Sequence, residues 1–202
     1  MGSVGTASHS SKPTYSTLST PLKGTPPPVI VFFSFLDHTS HRWATQCQVT
    51  QNIRRSLPAG TSVHRHHVSS TDKSGFNWGQ DLTRAWAVAM HLRVDDRIIA
   101  SLFEKVLVEK TVIDLEGLRD CFERDGGVDK VRFDRAWNDA GVVADAKYQD
   151  ELSEGLPREK LPCIVVRGRR MVDGNELSHM DRDADFGPKV GELVRELLSL
   201  EE

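Results

Sequence analysis

The 202-residue chain is short of cysteine and tyrosine, has no dominant charge and carries no long apolar run, and each shortage excludes a class of protein. Its three cysteines, Cys47, Cys121 and Cys163, are odd in number and far apart, so they form no Cys-x-x-Cys pair, no zinc-ligand pattern and no disulfide framework. They read as free thiols of a reducing compartment. With 26 basic against 29 acidic residues the net charge is -3, which leaves neither a basic footprint for nucleic acid nor a polybasic address for a membrane surface. The longest apolar stretch, Val29 to Leu36, falls far short of the roughly 20 residues that cross a bilayer. Met1 to Thr14 is rich in Ser and Gly and lacks the basic and apolar regions of a secretory signal, which points to the cytosol. A Met1-Gly2-Ser3 start left after removal of a signal would instead point to the periplasm.

What is present describes one soluble globular unit with room for an inserted subdomain, 38% hydrophobic and 27% charged. Residues 1 to 28 are Ser-rich and end in Pro26-Pro27-Pro28, so order is expected to begin mainly at Val29. Val29 to Leu36 is β-branched and aromatic on both faces, as in a strand buried on both sides of a sheet. Asp37 then offers an N-cap, and His41 to Leu57 reads as one helix that ends before Pro58-Ala59-Gly60. A second strand is expected over Thr61 to Val68, followed by a polar loop from Ser69 to Gly79.

From Gln80 the periodicity turns helical, with Leu82, Trp86, Ala89 and Met90 on one face and further short helices near Ile98 to Val108, Leu115 to Phe122, Val131 to Ala140 and Val142 to Leu152. Asp114 and Asp129 stand where N-caps are wanted, and Gly126-Gly127 closes a helix. Strand character returns over Pro162 to Gly168, turns through Gly168-Arg169-Arg170 into Met171-Val172, and a last helix spans Gly187 to Ser199. A βαβ half and a ββα half thus flank a helical insertion.

That order resembles the thioredoxin fold as elaborated in the disulfide oxidase family DsbA, and particular residues carry the resemblance. Phe32-Phe33-Ser34-Phe35 looks like the family's strand leading into its active site. Gly79-Gln80-Asp81-Leu82-Thr83-Arg84-Ala85-Trp86-Ala87-Val88-Ala89-Met90 is similar to its first inserted helix, Leu161-Pro162 stands where its cis-proline loop lies, and Tyr15-Ser16-Thr17-Leu18 resembles its first strand. The resemblance implies an α/β fold with an all-helical insertion: a flexible arm over 1–14, a thioredoxin domain over 15–70 and 157–202, and a helical domain over 79–154.

The family's chemistry rests on Cys-x-x-Cys at the start of the first helix, and the matching positions here are Asp37, His38, Thr39 and Ser40. A buried acid of the family's preceding strand corresponds to Val31. Dithiol exchange is therefore excluded, and the site reads as rewritten rather than trapped by substitution. What stays is a groove of helix N-terminal amides facing the Leu161-Pro162 loop, able to pair with an extended ligand.

Within that groove Asp37 is a cap or a carboxylate beside His38, and His38 has the type and place for acid–base work. Thr39 and Ser40 add hydroxyls, but consecutive first-turn residues splay, which argues against a nucleophilic triad. Kappa-class glutathione transferases hold a glutathione thiolate with a serine at such a helix start, although their serine aligns with Asp37 here. Cys163, next to the expected cis-proline, is placed near the helix start as a core residue or a reactive thiol, while Cys47 and Cys121 read as core. Phe76 and Trp78 either edge the groove or pack at the domain junction. Among His64, His66 and His67, alternation is read as turning His66 away from the other two, so no metal set is expected.

These residues predict a redox-inactive protein, foremost a repurposed enzyme of isomerase, lyase or transferase type acting on a small molecule or peptide, with His38 as acid or base. Two alternatives stand beside it: a peptide- or protein-binding module that keeps the groove, and a single-thiol or glutathione-linked activity through Cys163 or Ser40. Glutathione is the one cofactor the site could take; no nucleic acid or membrane partner is expected.

Overall fold

The structure, a computed structural model, describes residues 15–69, 78–177 and 184–200. Five strands form one mixed sheet in the order β1-β5-β4-β2-β3: β1 (Ser16–Thr17), β2 (Val29–Phe33), β3 (Val63–His67), β4 (Cys163–Val166) and β5 (Arg170–Asp173). Strands β2 and β3 are parallel, Val29 beside Val63 and Phe33 beside His67, whereas β2/β4, β4/β5 and β5/β1 are antiparallel. The run that reads as a doubly buried strand is the central strand, with every residue of β2 buried. The expected first strand is there, short, hydrogen-bonded to the edge of β5.

Each sheet face has its own cover. On one face Val29, Val31, Ile164, Val166 and Val172 pack under α1 (His38–Thr45), α2 (Val49–Ser56) and, at the chain's end, Phe186–Ser199. On the other, Ile30, Phe32, Cys163, Val165 and Met171 pack with Leu152, Leu156 and the N-terminal Leu18 and Leu22. Between β3 and β4 run α3 (Trp78–His91), α4 (Asp95–Phe103), α5 (Leu115–Arg124), α6 (Lys130–Trp137) and α7 (Ala140–Ser153), with a π-helical turn over Glu104–Val108. Their core takes in Phe33 and Phe35 from the end of β2, so the insertion is welded to the sheet. The caps are where the sequence puts them: Asp114 accepts from Gly117 N and Asp129 from Arg132 N, each at 2.8 Å. After Leu161-Pro162, which is cis, come β4, β5, α8 (Gly174–Leu177) and α9 (Phe186–Ser199).

The expected single helix from His41 to Leu57 is instead two. Helix α1 already begins at His38, the chain breaks at Gln46-Cys47-Gln48, and Gln48 enters α2 in the left-handed region at φ 48°. Asn52 stabilises the break by donating its amide to Cys47 O (3.2 Å) and Gln48 O (3.0 Å). Helix α9 crosses at this point, and a Cβ on Gly187 would lie 2.4 Å from Cys47 O, so only glycine allows the approach. Cys47 therefore sits at the break, half-buried, not three turns into a helix.

Strand β3 is the most polar element of the sheet. Its His64 and His66 rings meet edge to face at 6.1 Å on one side, while His67 points to the other, against Phe33 and Phe35. This corrects the expected alternation: residues two apart share a face, so His66 joins His64 and parts from His67. Thr83 spends its hydroxyl proton on Gly79 O (3.0 Å), so the 2.8 Å contact with His67 is donated by Nδ1–H, which fixes the tautomer.

Burial, aided by neighbouring His64, pushes His66 down to about 4, and burial pushes His67 down to about 3. The unfolded chain binds the extra protons below about pH 6.5, so this contribution to stability is complete above that pH and is lost as pH falls towards the folded values. Each histidine removes about 1.4 kcal/mol per pH unit in that window. Urea unfolding is expected to show stability falling between pH 7 and pH 5 with a slope above that of one proton. A flat profile over that range would contradict the buried neutral pair.

Candidate functional site

Strand β2 runs out at Phe33, and the next four residues turn it into α1. Phe35 is fully buried and stacks on His67 at 5.2 Å, which anchors the turn to the insertion. Asp37 is the N-cap, extended at φ -117° and ψ 124°, and its carboxylate accepts from Ser40 N at 2.5 Å. Ser40, 1% exposed, accepts from Ser34 N at 3.2 Å, and Ser34 Oγ in turn accepts from Leu36 N at 3.3 Å. Three side chains of this short stretch thus knot the strand end to the first helical turn.

The candidate residues separate accordingly. His38 is exposed and Thr39 half-buried, while Asp37 and Ser40 are committed to the backbone, so no Asp-His-Ser constellation assembles. Opposite them lies the loop of Arg158–Lys160, Leu161 and buried Pro162. Gly174 N donates to Pro162 O at 3.0 Å, and a Cβ on Gly174 would stand 2.2 Å from that oxygen, so glycine is required there too. Lys160 pairs with Asp173 at 3.2 Å and ties the loop to β5. Ser40, Trp43 and Pro162 share the wall of a cavity of about 20 Å³, which brings the helix start and the proline loop together.

Cys163 departs from expectation. It is fully buried among Ile30, Phe32, Val165 and Leu152, on the sheet face opposite the one that holds Trp43, so its thiol points away from the helix start. Burial, with Asp173 nearby, pushes it up to about 12, and burial likewise takes Cys121 to about 12. The Cys163 thiol is therefore not presented to the groove in this structure. Trp78 opens α3 half-buried against the helical core, and Leu161 packs partly into the cluster around Cys163. Phe76 lies outside the described residues.

Two features were missed by the sequence reading. His41, one turn beyond His38 on the same side of α1, stacks on Phe103 at 5.4 Å and has Nε2 3.8 Å from a Glu104 carboxylate oxygen; the i, i+3 spacing of the two histidines is its signal. Arg65, 4% exposed, lies beneath the site on the same small cavity as Ser40 and Pro162. Its guanidinium contacts Asp95 at 2.5 Å and Asp96 at 2.6 Å and stands over the Trp86 ring at 5.0 Å. Although partial burial works the other way, the positive charges of Arg65 and Arg54 hold the Asp96 carboxyl below its ordinary range. A lone arginine in a strand gives no local sign of partners thirty residues on.

Thiol chemistry is expected to report this arrangement. A thiol reagent at pH 8 should label half-buried Cys47 quickly and Cys121 and Cys163 only on unfolding, when all three react. Labelling of Cys163 in the folded protein at the rate of Cys47 would contradict it.

No family model matches the chain. Among individual proteins, the thiol:disulfide interchange protein DsbA of Escherichia coli is 31% identical over 169 residues, covering 83% of this chain and 79% of the relative. That of Salmonella typhimurium is 33% identical over the same span. Solved structures agree. Klebsiella pneumoniae DsbA superposes with a TM-score of 0.82 at 26% identity, over 96% of this chain and 100% of the other. A cysteine-to-serine form of Proteus mirabilis DsbA, solved with the non-covalently bound peptide PWATCDS, gives a TM-score of 0.81 at 25% identity, over 93% and 96%. With a thioredoxin fold, an inserted helical region and a proline loop against the first helix, the chain belongs to the DsbA family, and it carries Asp-His-Thr-Ser at the start of that helix.

Proposed function

We propose that the protein is a redox-inactive member of its family that binds an extended peptide or protein segment in the groove between the start of α1 and the Leu161-Pro162 loop. One observation carries this reading: the side chains replacing the dithiol build the groove instead of arming it. Asp37 and Ser40 spend their oxygens on Ser40 N and Ser34 N, and the thiol nearest in sequence to the loop, Cys163, is turned to the far face. The Proteus mirabilis relative, with a cysteine replaced by serine, is solved with a non-covalently bound peptide, which supports peptide binding by this fold without a covalent thiol bond.

An acid–base enzyme built on His38 is the less favoured reading. His38 is exposed, which suits proton transfer, but the neighbouring carboxylate that would orient and polarise it is the helix cap. A glutathione thiolate held by Ser40 is weaker still, because that hydroxyl is buried and turned towards Ser34.

Titration of the isotope-labelled protein with PWATCDS and with the same peptide carrying Ser for Cys is the test. Both are expected to shift the amides of residues 37–40 and of Lys160, Leu161 and Cys163 to the same extent, with no mass adduct, and His38→Ala to weaken binding by about tenfold or less, the loss of one exposed contact. Binding only of the cysteine peptide with a covalent adduct, or shifts confined to other surfaces, would overturn the proposal.

A further inference from the structure

A second concave site lies on the other face of the sheet. It is a cleft of about 460 Å³ between β3, the facing side of α7, the end of α3 and the segment before β2. That volume falls in the range of roughly 300–1,000 Å³ usual for small-molecule sites. The cavity at the α1 groove is lined by Val31, Phe33 and Arg65 and this cleft by His64 and His66, which alternate to the other side, so the two sites lie on opposite faces of the sheet.

The cleft has an exposed rim and a buried floor. On the rim are His64, Asp145 and Tyr148, and the floor is His66 and Gln149, 3% and 1% exposed. Residues 145, 148 and 149 share one face of α7 by their i, i+3, i+4 spacing and look onto the face of β3 that carries residues 64 and 66. The rings meet edge to face, His64 to His66 at 6.1 Å and His66 to Tyr148 at 6.0 Å. Pro26 and Pro27 add apolar surface to the lining, which together with the aromatic rings suits a planar group.

Both floor residues carry an unpartnered polar atom. Gln149 Oε1 accepts from His67 N at 2.9 Å, which settles the orientation of the amide and leaves Nε2 as a buried donor with no acceptor among the described residues. His66 Nδ1 is likewise buried and unpartnered among them. Natural proteins rarely leave buried polar groups unsatisfied, and two on the floor of one cleft point to a ligand that satisfies them.

We propose that this cleft binds a neutral planar molecule through an amide or lactam edge, a carbonyl beside an N–H. Gln149 Nε2 and His66 Nδ1 are both closed to solvent in the structure, so the two side chains turn towards the cleft as the ligand enters; the carbonyl then accepts from Gln149 Nε2, the N–H donates to the His66 ring nitrogen, and the ring lies between the prolines and the Tyr148 and His64 rings. Charge selects against acids. Asp145 places a carboxylate on the rim, burial keeps His66 neutral at pH 7, and burial together with the charge of Arg54 also lowers His64.

The test uses the full-length protein and three probes: 2-pyridone and nicotinamide, which carry the edge, and benzoate, which replaces it with a carboxylate. Saturable shifts are expected for the Gln149 side-chain amide and the His64 and His66 ring signals with the first two, and none with benzoate. Gln149→Leu, which removes the donor, is expected to weaken nicotinamide by about tenfold or more. Should that variant not fold, Tyr148→Ala on the rim removes one wall of the cleft and is expected to weaken both amide probes. Failure of both amide probes to saturate, equal binding of benzoate, shifts confined to the start of α1, or variants that bind like the parent protein would each overturn the proposal.

Discussion

The bond from Ser40 N to the Asp37 carboxylate is the contact on which the site depends. A helix begins with amides that nothing inside the helix can satisfy, and at a strand-to-helix turn as partly buried as this one water cannot serve them all. Asp37 meets one of those amides, Ser40 passes the connection back to Ser34, and Ser34 closes on Leu36. The relatives are named for thiol–disulfide interchange; this chain holds the same fold with hydrogen-bonded oxygens of Asp37 and Ser40 at the helix start. The substitution is thus structural as well as chemical, because the oxygens lost to hydrogen bonding are the ones a triad or a glutathione site would need.

The knot is held from behind by the junction of sheet and insertion. Phe33 and Phe35 leave the end of β2 and enter the helical core, where Trp86 and Phe103 receive them and His67 stacks on Phe35. Trp86 also donates its indole N–H to Arg65 O at 2.9 Å, and the Arg65 guanidinium crosses to Asp95 and Asp96 at the start of α4. A buried arginine is costly to desolvate and is tolerated only with good partners; here two carboxylates and an aromatic face supply them. The floor beneath the groove is therefore built on a buried arginine whose charge is paired.

Much of this was legible where the determining interactions are local. The all-apolar run at Val29, the caps at Asp37, Asp114 and Asp129, and the helical periodicity after Gln80 each depend on residues within a turn or two of one another. The resemblance carried by Phe32 to Phe35, Gly79 to Met90 and Leu161-Pro162 then supplied the topology. The break before α2 was not legible, because a left-handed glutamine is held there by Asn52 and by the close approach of Gly187 from the far end of the chain. Ser40 looked like an available hydroxyl until packing buried it. The placement of Cys163 on the far face of the sheet and the shared face of His64 and His66 follow from strand parity, which was there to be read; the pairing of Arg65 with residues 95 and 96 was not.

The central claim is that the family's fold is retained around the start of α1 and that Asp37 and Ser40 stand there in place of a dithiol. Restoring a dithiol by Asp37→Cys with Ser40→Cys in one chain, and following oxidation of a reduced model peptide, tests it most directly. The account predicts that the double variant forms an intrachain disulfide and oxidises the peptide while the parent protein does neither. A double variant that folds yet stays in the dithiol form under oxidising conditions, or a parent protein that oxidises the peptide as fast, would contradict it.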